Sequence, residues 1–169
     1  MKNPKSLANG HTLNLNCYIP ALITFMSNKL SSGASACYRE QFGVGVMEWR
    51  IMATLKLQST ISANQISQVI GLDKAAVSRT LKQLQQNALV SFVKDENDAR
   101  STLVTLTNKG QGLHDRILTV ALARESILLE GLSSEEVNQL IGLLQKVKAN
   151  IHATNAYLPT QGDKPFENA

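Results

Sequence analysis

The feature that most restricts the fold lies in residues 62–106. Ser62-Ala-Asn-Gln65 has the spacing of a capping box, in which a hydroxyl and an amide side chain satisfy donors left open at a helix start. The short helix it opens ends near Ile70, and Gly71 supplies a tight turn. Asp73 is a second N-cap, placed to open a longer helix over 73–88. Two β-rich runs follow, 89–94 and 102–106, joined by the polar stretch 95–100 as a hairpin.

Helix, turn, helix and hairpin in that order form a winged helix-turn-helix, here within 46–106. Upstream, apolar residues recur at helical spacing over 13–42 (Leu15, Ile19, Leu22, Phe25, Met26, Leu30), with Pro20 best placed in a first turn. Gly43 and Gly45 break that pattern. A second helix then runs from Val46 to about Leu57, with Val46, Trp49, Met52, Ala53 and Leu55 inward. Downstream, a long helix over 107–130 precedes a second capping box, Ser133-Ser-Glu-Glu136. The last helix carries Val137, Leu140, Ile141, Leu144, Val147 and Ile151 on one stripe. The fold class is therefore mainly α, a winged helix-turn-helix with long N- and C-terminal helices. A minimal winged helix has no use for those outer helices, so the apolar stripes of 13–45 and 107–157 are read as a dimerisation lobe joining two copies. The polar ends, 1–12 and 158–169, are read as flexible.

A chain of 169 residues is the size of one domain with such an appended lobe, and it needs neither metal nor disulfide for stability. Its formal net charge of +4 is compatible with a polyanionic partner. Cys17 and Cys37 fall in what reads as one helical segment, too far apart to bridge, which suits a reducing compartment. There is no apolar core of a signal peptide and no membrane-length apolar run, so a cytoplasmic location without membrane association is expected.

Residues 73–88 carry the most information. At about 100° per residue, Val77, Leu81, Leu84 and Ala88 share one side of the helix. Lys74, Ala75, Ser78, Arg79 and Lys82 share the other, which carries no acid. Small residues permit close approach to a major groove, arginine reads guanine edges, and lysine neutralises phosphate. A solvated amphipathic helix would also place Lys and Arg outward; the turn before and the hairpin after favour double-stranded DNA. At the hairpin, Lys94 and Arg100 are further candidate DNA contacts, with Arg100 aimed at the minor groove and Asp98 orienting the wing.

Enzymatic chemistry finds no support. His11, His114 and His152 are isolated, and the chain has no HExxH, no Cys-x-x-Cys, no glycine-rich phosphate loop and no nucleophile elbow. His114-Asp115 reads as a solvated pair on a helix. Neither a metal nor a cofactor is expected.

Glu48-Trp-Arg-Ile-Met-Ala53, Leu72-Asp-Lys-Ala-Ala-Val-Ser-Arg79, Asp98-Ala-Arg100-Ser101 and Leu106-Thr-Asn-Lys-Gly110 occur in the order and spacing of the MarR family, which the chain resembles over residues 13–151. The resemblance implies a two-fold homodimer held by its first and last helices on a pseudo-palindromic operator, with repression as the default. Residues 73–88 correspond to the family's recognition helix and Arg100 to its wing arginine. Ala99 stands where many members carry arginine, so that part of the affinity is either absent or supplied by Lys94.

Within the family the chain looks most like regulators of aromatic-acid catabolism, such as a hydroxycinnamate-responsive repressor. An aromatic carboxylate effector would need a cation and apolar walls, which the resemblance places among the first, second and fifth helices. Arg50, beside Trp49, is the leading cation, with Arg39 and Arg116 behind it. Ser27, Asn28 and Tyr38 are candidate partners for the carboxylate or phenol. Each has a plainer account: Trp49 as core, Arg50 paired with Glu48 or another acid. The alternative function is a thiol-based redox-sensing repressor acting through Cys17, against which no cation adjoins Cys17 in sequence and residues 44–49 offer no tyrosine. A winged helix used for protein contacts is the third reading, and the acid-free face of 73–88 argues against it.

Overall fold

The computed structural model describes residues 7–8, 12–94 and 102–159. The chain divides into two compact units, Thr24–Ala123 and, separately, Met1–Ile23 with Arg124–Ala169. The helices α1 (Ile19–Phe42) and α5 (Asn108–Leu128) each run from one unit into the other.

The larger unit holds the core. Its elements are the end of α1, α2 (Val46–Gln58), β3 (Thr60–Ser62), α3 (Ala63–Ile70), α4 (Lys74–Gln86), β4 (Val90–Lys94), β5 (Thr102–Leu106) and the start of α5. Ile51, Met52, Leu55, Ile66, Val77, Leu81, Leu84, Val104 and Ile117 are fully buried. One apolar stripe from each helix thus closes over one face of the sheet. The caps foreseen at Ser62 and Asp73 form: Ser62 Oγ accepts from Gln65 N at 3.3 Å, and Asp73 Oδ1 accepts from Ala76 N at 2.8 Å. Gly71 closes α3 in the left-handed region, at φ +69°, donating to the Ser67 carbonyl.

Several expectations change. The hairpin is two strands of a three-stranded antiparallel sheet ordered β3-β5-β4, with Ile61 opposite Val104 and Phe92 opposite Val104 on the other side. Three residues are too short a run to show alternation, and Ser62 doubles as strand end and helix cap. Next, α1 begins at Ile19 rather than Leu13. Pro20 is confined to a first turn, and upstream of it the Asn14 carbonyl accepts from Cys17 N and Tyr18 N in a turn. Ahead of that turn, β1 (Leu7–Ala8) pairs antiparallel with β2 (Thr12–Leu13). Finally, α4 stops at Gln86, and Ala88 is exposed at φ +56° rather than lying on the inner face. Leu89 N donates to the Leu84 carbonyl at 2.9 Å and Ala88 N to the Gln85 carbonyl at 2.8 Å, a closure that requires one left-handed residue.

The turn after α4 is tied to α5. Thr107 Oγ1 donates to the Ala88 carbonyl, Thr107 N to the Leu89 carbonyl, and Lys109 Nζ to the Asn87 carbonyl. Gly110 completes the seat, because a Cβ there would collide with the Leu89 carbonyl oxygen.

In the smaller unit, α6 (Ser134–Ala149) starts at the expected cap, with Ser133 Oγ accepting from Glu136 N and Glu136 Oε2 from Ser133 N. It ends at Asn150, and Ile151 opens a separate short helix, α7 (Ile151–Ala156). None of the residues of α6 is buried. Leu140, Ile141, Leu144, Val147 and Ile151 stand exposed, as do Leu15 and Ile19.

Candidate nucleic-acid interface

The geometry of α4 follows from its own sequence. Val77, Leu81 and Leu84, at i, i+4 and i+7, fix one side against the core and so leave the opposite side outward. Ala75, Ser78, Arg79 and Lys82 are exposed there. Lys74, expected on that side, instead lies three residues before Val77 and seven before Leu81, on the inner stripe, and is exposed because it stands in the first turn. Asp73 is spent as the cap on Ala76 N, and α4 itself contains no acid. At the leading end, Ser67 Oγ donates to the Leu72 carbonyl at 2.6 Å, so the turn between α3 and α4 is held from both sides. The result is a rigidly mounted helix presenting two short side chains beside two cations, with a third cation, Lys74, at its leading end.

Lys94 ends β4, exposed and opposite Thr102 in the ladder. Asp98 and Arg100 lie outside the described residues.

The residues singled out as effector contacts fall into separate groups. Tyr38 is buried, with its ring 6.5 Å from Phe42 and edge-on to Trp49 at 6.2 Å. Trp49 is half-buried and stacks on His114 at 5.1 Å. Arg50 neither pairs with Glu48 nor stands open. Its guanidinium donates to Ser31 Oγ at 2.8 Å, while Glu48 Oε2 accepts from Gly45 N at the start of α2. Ser27 and Asn28 are exposed on α1, and Arg39 is exposed beside Gly45. Arg116 lies with its guanidinium carbon 5.3 Å over the Phe42 ring.

His114 corrects the reading of a solvated pair. Its ring is buried, 5% exposed, with Nδ1 donating to Asp115 Oδ1 at 2.8 Å. Asp115 is exposed and also takes Lys56 Nζ at 3.3 Å. Hydrogen bonds from His114 and then Lys56 hold its carboxyl below the ordinary value of 3.8. Nothing local marks His114 as a partner of Trp49, because the two meet only when α5 packs on α2. Among the described residues no group of His, Cys, Asp and Glu is arranged to hold a metal, and no helix is long and apolar enough to cross a membrane.

A mainly α chain with a small antiparallel sheet and an acid-free basic helix mounted before it is a winged helix-turn-helix regulator. Residues 42–101 match the model of the MarR family. A MarR/EmrR family transcriptional regulator from Acinetobacter sp. ADP1 is similar at 36% identity and a TM-score of 0.78, over 83% of this chain and 99% of that one. The chain belongs to the MarR family, and is a transcriptional regulator of the DNA-binding, winged-helix kind and not an enzyme. More distant structures share the fold. A putative MarR family regulator from Listeria monocytogenes complexed with 26mer DNA is 22% identical with a TM-score of 0.74, over 82% of this chain and 95% of that one. A mutant MarR from E. coli complexed with operator DNA is 23% identical with a TM-score of 0.69, over 76% and 92%.

Proposed function

We propose that this chain is a homodimeric, cytoplasmic repressor that binds a pseudo-palindromic operator and is released from it by a small aromatic acid of the hydroxycinnamate type. The observation that carries the DNA reading is the outward side of α4, where Ala75, Ser78, Arg79 and Lys82 are exposed together, with Lys74 exposed in the first turn and no acid on the helix. Major-groove entry needs a slim, positively charged surface of this kind. Lys94 extends the charge onto the wing, and Asp98 and Arg100 are assigned to its tip on the family resemblance.

Pairing of two copies through 13–45 and 107–157 is supported by the apolar side chains that α6 leaves in solvent. A stripe this long on a single copy calls for cover. Two-fold pairing would set the two copies of α4 about one DNA turn, ~34 Å, apart, and an effector favouring another spacing would deplete the binding form. The aromatic-acid effector rests on the resemblance to regulators of aromatic catabolism. Its candidate contacts are Ser27, Asn28, Tyr38, Trp49, Arg50 and Arg116.

The test is fluorescence-anisotropy binding to the promoter DNA flanking the chain's own gene, titrated with salt, with a panel of aromatic acids and with peroxide. Nanomolar, salt-sensitive binding reversed only by an aromatic acid is expected. Reversal by peroxide alone would hand the switch to Cys17, and absence of binding to any duplex would leave a protein-contact module.

A further inference from the structure

Base edges are read through hydrogen bonds of fixed geometry, whereas phosphates are met by long, flexible cations. A helix that reads sequence must therefore keep one orientation more strictly than a helix that only binds DNA. The leading end of α4 is held by the Asp73 cap and by the Ser67 hydroxyl on the Leu72 carbonyl. Its trailing end has no such support of its own. Beyond Leu84 every residue of α4 is exposed, as is Asn87. The last turn also carries no basic residue to meet the partial negative charge of a helix C-terminus, whereas α6 has Lys146 and Lys148 there.

What α4 lacks comes from the start of α5. Three successive carbonyls, those of Asn87, Ala88 and Leu89, accept in turn from Lys109 Nζ at 2.9 Å, Thr107 Oγ1 at 2.8 Å and Thr107 N at 3.1 Å. Both Thr107 bonds fall beyond the C-cap. The Lys109 bond alone reaches the capping residue, Asn87, whose own N–H donates to the Gln83 carbonyl in the last turn. It is also the one bond of the three that brings a charge to the helix end.

We propose that Lys109 is a positioning residue for sequence-specific DNA binding, acting through α4 and not on DNA. Its ammonium group holds the trailing end of α4 in the orientation that aligns Arg79 with a base edge. Without it the last turn samples several orientations, and specific affinity falls by the fraction that is misaligned. Phosphate contacts, made by flexible side chains, tolerate the same change. The inference rests on the reading of α4 as the helix that enters the major groove.

The experiment is fluorescence anisotropy of the full chain on the promoter duplex flanking its gene and on a scrambled duplex, each at several salt concentrations. Circular dichroism at the same temperature checks that each variant is folded. Lys109→Met should lower operator affinity about threefold to tenfold, the effect of losing one charge-assisted hydrogen bond at an exposed site. Affinity for the scrambled duplex, and the slope of log affinity against log salt, should stay as in wild type. Lys109→Gln, which stays polar but loses the charge, should behave like Lys109→Met. Lys109→Arg, which keeps charge and donor, should restore most of the discrimination between the duplexes, and its failure to do so would overturn the role. Equal losses on both duplexes with a slope reduced by about 1 would make Lys109 a phosphate contact and overturn it too. Full discrimination in Lys109→Met, with operator affinity lost in Arg79→Ala, would overturn the role while leaving α4 as the DNA helix. Unchanged operator binding in Arg79→Ala would overturn the reading of α4 and this inference with it.

Discussion

The indole of Trp49 stacks on the imidazole of His114 with ring centroids 5.1 Å apart and planes inclined by 27°. The contact joins α2 to α5, and Tyr38 of α1 meets the same indole edge-on at 6.2 Å. Two consecutive helices and a third, distant in sequence, are thus pinned by one aromatic cluster beside the core. Trp49→Ala should cost about 3 kcal/mol, the low end for deleting so large a side chain because this one is only half-buried. Urea unfolding followed by circular dichroism measures it, and a loss below about 1 kcal/mol would deny the cluster that role.

His114 is also tied to the chain's acid response. Its Nδ1 and Lys56 Nζ both donate to Asp115, whose carboxyl is held below its ordinary value of 3.8. A depressed carboxyl pKa adds stability above the unfolded value, and that stability is lost as pH falls through the folded value. Asp115→Asn should therefore lower the urea midpoint near neutral pH, with the gap to wild type closing as pH drops below about 4. A gap that is constant across the acid range would show that the charge on Asp115 is not what matters.

Much of this architecture is legible from local signals. The caps at Ser62, Asp73 and Ser133, the turn at Gly71 and the outward side of α4 all depend on residues within a turn or two of one another. What escaped depends on distance or on brevity. Strand β3 is three residues long and is defined by its pairing with β5, more than forty residues on. The Trp49–His114 stack and the Lys109–Asn87 tie join elements whose meeting no periodicity encodes. Arg50 reads as an open cation until Ser31, nineteen positions upstream, supplies its acceptor. Arg116 is a candidate cation on sequence alone, but its seat over the Phe42 ring becomes visible only where α5 meets the end of α1.

The turn after α4 contains a residue out of place. Ala88 sits at φ +56°, in the left-handed region that costs an L residue about 1 kcal/mol and costs glycine nothing. No side-chain contact is at stake, since Ala88 is exposed. Ala88→Gly should therefore raise stability by up to about 1 kcal/mol, less whatever glycine gains in the unfolded chain. A thermal melt decides it: a lowered Tm would mean that the unfolded-state entropy outweighs the relief of strain.

The exposed stripe of α6 gives the proposed dimer its most direct test. Ile141 and Leu144 are 48% and 47% exposed in the single chain, so charging them removes no core contact. Ile141→Asp combined with Leu144→Asp should convert a dimer to a monomer in sedimentation velocity while leaving the helical content unchanged. Operator affinity should fall with it, because one copy engages only half of a two-fold site. An unaltered dimer would place the pairing surface elsewhere.

On α4, two exposed cations three residues apart should do different work. Arg79 lies in the middle of the outward side with Ala75 and Ser78 beside it, short neighbours that let its guanidinium reach a base edge. A bidentate arginine contact with guanine discriminates between bases, so Arg79→Ala should cost ~1–3 kcal/mol on the operator and narrow the gap to unrelated duplexes. Lys82, one turn further along, offers a compact charge suited to phosphate. Lys82→Ala should weaken all duplexes alike and reduce the slope of log affinity against log salt by about 1. Anisotropy titrations of operator and scrambled duplex at several salt concentrations separate the two effects. Equal, sequence-independent losses from both substitutions would mean that Arg79 also meets only the backbone, and that sequence is read elsewhere, with Ser78 on α4 the next residue to substitute.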